Sequence, residues 1–229
     1  MRLYLASTSP ARLALLRSSG IEPILHAPDV DEDAVSEAAE LAAGAPHDPA
    51  DLVLMLARAK AEAVAAAPLA AEPDAASAAP APGEELRGRT GLVLGGDSMF
   101  VIDGVTYGKP HTPENATARW HLQRGKTGQL LSGHWLIEQV DGVSVRAAGA
   151  VTVADVTFAD DISDAEIDAY VATGEPLFVA GAFTIDSLGA GFITHISGDP
   201  STVVGLSLPA LRRLVRGMDL EWTDLWNRQ

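Results

Sequence analysis

Hydrophobic and polar positions along this chain switch between two periods. Residues 2–6 hold the apolar run Leu3–Ala6, which ends abruptly at Ser7-Thr8-Ser9, the pattern of a buried strand entering a turn. From Pro10 the period lengthens. Leu13, Leu15 and Leu16 form an apolar face up to Gly20, with Ser9 at the N-cap and Pro10 at the first helical position, which predicts a helix over 10–19. Pro23–His26 reads as a second strand, followed by an acidic loop, Asp29-Val30-Asp31-Glu32-Asp33. Leu52, Leu56, Ala59 and Ala63 recur at helical spacing and predict a helix over about 50–66.

Periodicity is lost over 67–90, a segment of Ala, Pro and Glu that reads as a solvated, mobile insertion. It returns at Gly91-Leu92-Val93-Leu94-Gly95-Gly96-Asp97-Ser98-Met99-Phe100-Val101-Ile102, a strand that runs past Asp97 into an Asp103-Gly104 hairpin turn. Thr112-Pro113-Glu114 opens a helix to about Arg124, and two long alternating strands over about 129–140 and 143–158 meet at Asp141-Gly142. Ser163 and Glu166 form a capping box for a helix ending at Gly174. A Gly-rich segment over 181–191, a strand over 191–196 and a helix over about 207–216 complete the pattern. Parallel and antiparallel signals coexist, so the fold class is α/β with a mixed central sheet flanked by helices. Residues 1–217 read as one domain interrupted at about 67–90, and 218–229 as a C-terminal tail whose Trp222 and Trp226 are expected to cover their own domain.

Composition narrows the function. The 229 residues suffice for one sizeable α/β domain, and the 47% apolar content supports a core. The formal net charge of −15 disfavours nucleic acid and anionic membranes as partners. An anionic ligand would then need local basic residues or a bridging divalent cation. Cysteine is absent, which excludes disulfides, zinc-thiolate sites and thiol catalysis. Without a secretory pattern or an apolar run near ~18 residues, the expectation is a soluble cytoplasmic protein.

Several residues carry candidate chemistry. A strand feeding a helix N-terminus is a ready anion site, and Arg12 in the first turn opposes the helix dipole, which argues for a role beyond helix stability. A plain cap with a solvated arginine accounts for the same residues. Asp97 is a lone carboxylate inside an apolar strand, behind two glycines that permit close approach, so it is paired, metal-bound or catalytic, or else it bonds neighbouring backbone N–H groups. Asp29, Asp31, Glu32 and Asp33 offer oxygen ligands for Mg²⁺ or Mn²⁺, or simply form an exposed acidic loop. Lys60 faces a cleft or snorkels to water, and Gly108-Lys109-Pro110 places a lysine in a rigid turn after a strand.

In order and combination these residues resemble the Maf family of nucleoside triphosphate pyrophosphatases, once described as septum-formation inhibitors. The resemblance spans nearly all the chain outside 67–90. Its marks are Leu5-Ala6-Ser7-Thr8-Ser9-Pro10-Ala11-Arg12, Val30-Asp31-Glu32, Leu56-Ala57-Arg58-Ala59-Lys60-Ala61, Gly95-Gly96-Asp97-Ser98, Gly108-Lys109-Pro110, residues 167–177, Ala180-Gly181-Ala182-Phe183 and residues 203–209. It implies two lobes around a cleft and metal-dependent, house-cleaning hydrolysis of nucleotides to monophosphate and pyrophosphate. It places the catalytic carboxylate on Asp97, the phosphate-binding serines and arginine on Ser7, Ser9 and Arg12, the metal-side acid on Glu32, and the cleft lysines on Lys60 and Lys109. Two positions depart from the subgroup that acts on dTTP and UTP: Ala11 replaces an arginine, and Asp186 replaces a glutamine. A subgroup resembling 7-methyl-GTP pyrophosphatases carries a glutamate at the latter position. A carboxylate at 186 accepts from the N–H edge of a guanine but cannot donate to a pyrimidine carbonyl. The expected partners are thus a nucleoside triphosphate, canonical or modified, and a divalent cation, with a homodimer as one possible assembly. Two other readings stay open: a nucleotide-binding regulator of cell division with little turnover, and an acidic protein-interaction module.

Overall fold

A computed structural model describes residues 1–43, 47–67 and 90–228 of the chain. Most of the Ala/Pro-rich insertion expected at 67–90 lies outside the described residues. The described strands are β1 (Leu3–Ala6), β2 (Ile24–His26), β3 (Gly91–Ile102), β4 (Val105–Tyr107), β5 (Thr127–Val140), β6 (Val143–Phe158) and β7 (Ile193–Ser197). The described helices are α1 (Pro10–Ser18), α2 (Glu32–Ala43), α3 (Pro49–Ala66), α4 (Pro113–Gln123), α5 (Asp164–Ala172), α6 (Pro200–Val204) and α7 (Leu208–Gly217). The strands form one mixed sheet in the order β2-β1-β3-β5-β6-β7, with β4 also paired to β3. β1 runs parallel to β2 and β3, and the other pairings are antiparallel.

Local signals account for most of these elements. Ser9 caps α1 by accepting from Arg12 N, and Thr112 caps α4 ahead of Pro113. The Ser163–Glu166 capping box is present at α5. The acidic stretch corrects one expectation. Rather than a loop through Asp33, a helix begins at Glu32, with the Asp31 carboxylate accepting from Ala34 N at 3.0 Å. Acidic residues in a first turn favour the helix dipole, so the charge run is a cap and helix start. α6 was not anticipated. It is one short turn capped by Asp199.

Topology opens the cleft. β5 pairs with β3 from Gly91 to Val101, so β1 and β4 share the opposite edge of β3. β1 pairing ends at Ala6 opposite Gly95, and β4 pairing begins at Phe100 opposite Tyr107. Between them, among the described residues, Gly96–Met99 have no strand partner on that edge. The core divides at the same place. Leu92 and Leu94 pack with Leu16, Leu211 and Val215, while Val93 packs with Ala61 and Val64 on the other face. Phe100 and Ile102 belong to a separate cluster with Trp120, Phe158 and Tyr170. The two predicted lobes are the first two clusters, on either face of the sheet, and the Phe100 cluster, joined by the long strands β3 and β5. Met218, Trp222 and Leu225 join the first lobe, and Asn227 N and Arg228 N both bond Gly20 O at 3.1 Å, so the tail packs on its own domain, although Trp226 stays 58% exposed.

Candidate active site

The cleft lies where the β3 edge is uncovered, at the carboxyl end of the parallel strand β1, where open α/β sheets bind ligands. It is a cavity of about 730 Å³ lined by the β1–α1 turn, β3, α3, the Gly108-Lys109 turn, residues 175–186 and residues 203–205. Ser7, Ser9, Arg12, Glu32, Lys60, Asp97, Lys109 and Asp186 all line it. Of the four acidic residues at 29–33, only Glu32 does.

Lys60 is the hub of the acidic side. α3 lies close on the sheet because Gly95 offers no side chain: a Cβ there would fall on the Ala57 carbonyl oxygen. One turn further along, Lys60 Nζ reaches Asp97 Oδ1 at 2.6 Å and Glu32 Oε1 at 2.7 Å. Lys60 and Asp97 are both buried, at 6% and 8% exposure, so Lys60 does not snorkel to water and Asp97 is paired. Burial pushes the Asp97 carboxyl up from its ordinary range, against the pull of Lys60 and Arg12. Glu32 is shallower. Partial burial raises it, but the Lys60 hydrogen bond and the charges of Lys60, Lys109 and Arg12 hold it below its ordinary value.

Arg12 occupies the cationic side. At 8% exposure it is not the solvated side chain of a plain cap. Nε donates to Gly205 O at 2.7 Å, Nη1 to Ser7 Oγ at 3.2 Å and Nη2 to Ser98 Oγ at 2.9 Å. Burial lowers its pKa, opposed by the charges of Asp97 and Glu32. Ser7 Oγ also accepts from Ser9 N, while the Ser9 hydroxyl serves as the cap, so the capping and cavity-lining readings of this turn coexist. The exposed Lys109 turn is pinned by Arg119, which donates to Gly108 O.

Three lining residues escaped the sequence reading. Ser98 orients Arg12 and continues through Ser132, 2.9 Å away, to Thr202 O. Gly205 supplies the carbonyl for Arg12. Glu175 lines the cavity and binds the segment carrying Asp186. All three lie inside the stretches that carry the family resemblance, but nothing in those stretches gave them a role. Their partners lie on segments whose meeting is set by the fold.

Glu32 and Asp97 are the candidate metal ligands. No group of three or more His, Cys, Asp or Glu side chains arranged for a metal occurs among the described residues. The two carboxylates nevertheless meet at one ammonium, and a pair of carboxylates completed by water and phosphate oxygens fits Mg²⁺.

Cations gathered at the carboxyl end of a parallel strand, beside a buried carboxylate, define an α/β protein with a charged cleft. The sequence model of the Maf-like protein family matches residues 2–218, and the chain belongs to that family. It is 59% identical over 228 residues to a nucleoside triphosphate pyrophosphatase of Leifsonia xyli, covering 100% of this chain and 98% of that protein. Proteins of the same name from Nocardia farcinica and Corynebacterium aurimucosum are 45% and 43% identical, covering 98% and 99% of this chain and 96% and 98% of theirs. A solved nucleoside-triphosphatase, a dITP/XTP pyrophosphatase from Mycobacterium abscessus, covers 95% of this chain and 98% of its own, but a TM-score of 0.34 at 14% identity is too slight to add to the assignment. Among the described residues no helix is long and apolar enough to cross a membrane.

Proposed function

We propose that this protein is a nucleoside triphosphate pyrophosphatase, which hydrolyses the bond between the α- and β-phosphates to release nucleoside monophosphate and pyrophosphate. Family membership and full-length relatives of that name support the reading. The observation that carries it is the buried Asp97 held by Lys60 in the same cavity as Arg12. Asp97 accepts a proton from the water that attacks the α-phosphorus, and burial raises its basicity for that task. The bond to the bridging oxygen breaks as the new P–O bond forms, and its electron pair leaves with pyrophosphate. Arg12, Lys60 and Lys109 offset the charge on the phosphate oxygens, and Ser7 with the start of α1 adds donors. Glu32 and Asp97 would hold a divalent cation, Mg²⁺ or Mn²⁺, which when bound supplies further positive charge and lowers the pKa of water. With a net charge of −15, these local cations work against a repulsive long-range field. Asp186 takes the base end, where its carboxylate favours a base presenting N–H donors, canonical or modified.

The test is pyrophosphate release by the wild type and by Asp97→Asn. The variant is expected to lose about 10²–10³-fold in rate, as for removal of one well-aimed catalytic group, while its melting temperature still rises with nucleotide. Near-wild-type turnover in the variant would sink the assignment. A wild type that binds triphosphates and leaves them intact would instead be a regulator.

A further inference from the structure

The segment that carries Asp186 into the cavity has no helix or strand of its own from Phe183 to Ser187. An irregular segment holds a side chain in place only if other groups tie it down: here Phe183 is buried in the core, Ser187 O accepts from Ala190 N, and one carboxylate bonds both flanks of Asp186. Glu175 Oε1 accepts from Thr184 Oγ1 at 2.5 Å, Tyr170 OH at 2.9 Å and Gly189 N at 3.1 Å. Oε2 accepts from Ser187 Oγ at 2.8 Å and Leu188 N at 3.3 Å. The donors flank Asp186 on both sides, so the carboxylate closes the segment into a loop. Tyr170 ties the clasp to the second lobe, where its ring packs on Trp120 at 5.3 Å. The closure is tight at Gly189, where a Cβ would stand 2.6 Å from the Tyr170 hydroxyl and 2.7 Å from Thr184 O.

Glu175 lines the cavity, yet it is unsuited to proton transfer. Partial burial raises its pKa, but the bonds from Thr184, Ser187, Gly189 and Tyr170 outweigh this and bring it to about 2. All five donors point at its two oxygens, which leaves little capacity for water or substrate.

We infer that Glu175 is a positioning residue for nucleobase recognition: by clasping the 184–189 loop it sets where Asp186 meets the base. The inference rests on the assignment of Asp186 to the base end. The clasp acts on the base and not on the phosphates, because its donors all belong to the Asp186 loop and α5. The phosphate-side residues are held by other bonds.

The experiment is titration calorimetry of the wild type, Glu175→Gln and Glu175→Asp with a panel of nucleoside triphosphates and with inorganic triphosphate, which has no base. In Glu175→Gln an amide nitrogen faces donors, so part of the clasp opens. Affinity for the preferred nucleotide should fall about tenfold or more, the scale of one lost charge-assisted hydrogen bond. The ranking among bases should flatten, and inorganic triphosphate should bind as it does to the wild type. Glu175→Asp, which keeps the charge, should recover part of the ranking. Should Glu175→Gln not fold, Ser187→Ala removes one donor with the carboxylate intact and should shift the ranking in the same direction by less. An unchanged ranking, or an equal loss of affinity for inorganic triphosphate, overturns the inference. Binding is read apart from turnover, so a wild type that fails to release pyrophosphate counts against the hydrolase reading alone.

Discussion

Each nitrogen of the Arg12 guanidinium bonds a different part of the chain: Gly205 O, the Ser7 hydroxyl and the Ser98 hydroxyl. A guanidinium aims donors from three separate nitrogens in a fixed fork, whereas an ammonium offers its three from one. Arg12→Lys keeps the charge but not the fork, so the cation leaves the position from which the proposed reaction uses it. Pyrophosphate release should fall on the order of 10²-fold with the far-ultraviolet circular dichroism unchanged. A rate within a few-fold of wild type would show that charge alone suffices. Arg12 itself was legible because a basic residue in a helix's first turn runs against the dipole. Ser98 and Gly205 were not legible as its partners, since they lie 86 and 193 residues away.

At the scale of elements, the site depends on how closely α3 lies on the sheet. A Cβ at Gly95 would fall on Ala57 O, and one at Gly133, opposite Asp97 in the β3–β5 register, would fall on Val53 O. Gly95→Ala should therefore lift α3 and draw Lys60 off Asp97. The expected cost is at least about 1–3 kcal/mol of stability, the usual range for overpacking. It should be accompanied by a loss of pyrophosphate release. Thermal unfolding and turnover together check this, and an unchanged melting temperature would show that α3 accommodates the methyl group. The glycine pair before Asp97 announced a close approach by a ligand or a backbone, and the groups that approach are the α3 backbone at Gly95 and the Arg12 guanidinium at Gly96. Gly133 carried no such signal within an alternating strand. α2 was misread because an acidic run has the same composition in a loop and in a capped first turn.

The whole molecule carries a buried titratable group between its layers. His134 is fully buried, with Nε2 accepting from Ser207 N at 2.8 Å at the start of α7 and Nδ1 3.3 Å from Ala150 O. Burial, only partly opposed by its bond to Ala150, pushes its pKa from 6.5 to about 4. In the unfolded chain it takes up a proton near 6.5, so between these values the unfolded state binds more protons. Its contribution is complete above pH 6.5 and is lost as pH falls toward 4, a change worth ~3 kcal/mol. Urea unfolding of wild type and His134→Gln across that range isolates the effect from the many carboxylates. The difference in stability between the two proteins should shrink as pH falls, and a pH-independent difference would refute it.

The chain's own order of residues determined its elements and most of its candidate chemistry. Caps, helix periods and turn residues act within a few positions, and the lone Asp97 in an apolar strand is conspicuous without any neighbour in view. Tertiary structure alone decided how those residues are used. Two strands sharing one edge of β3 leave the gap that becomes the cleft, and α3 carries Lys60 onto Asp97 across it. Glu175 reaches back over the loop that bears Asp186. These pairings join segments far apart in the chain, so their energies appear only when the fold brings the partners within bonding distance.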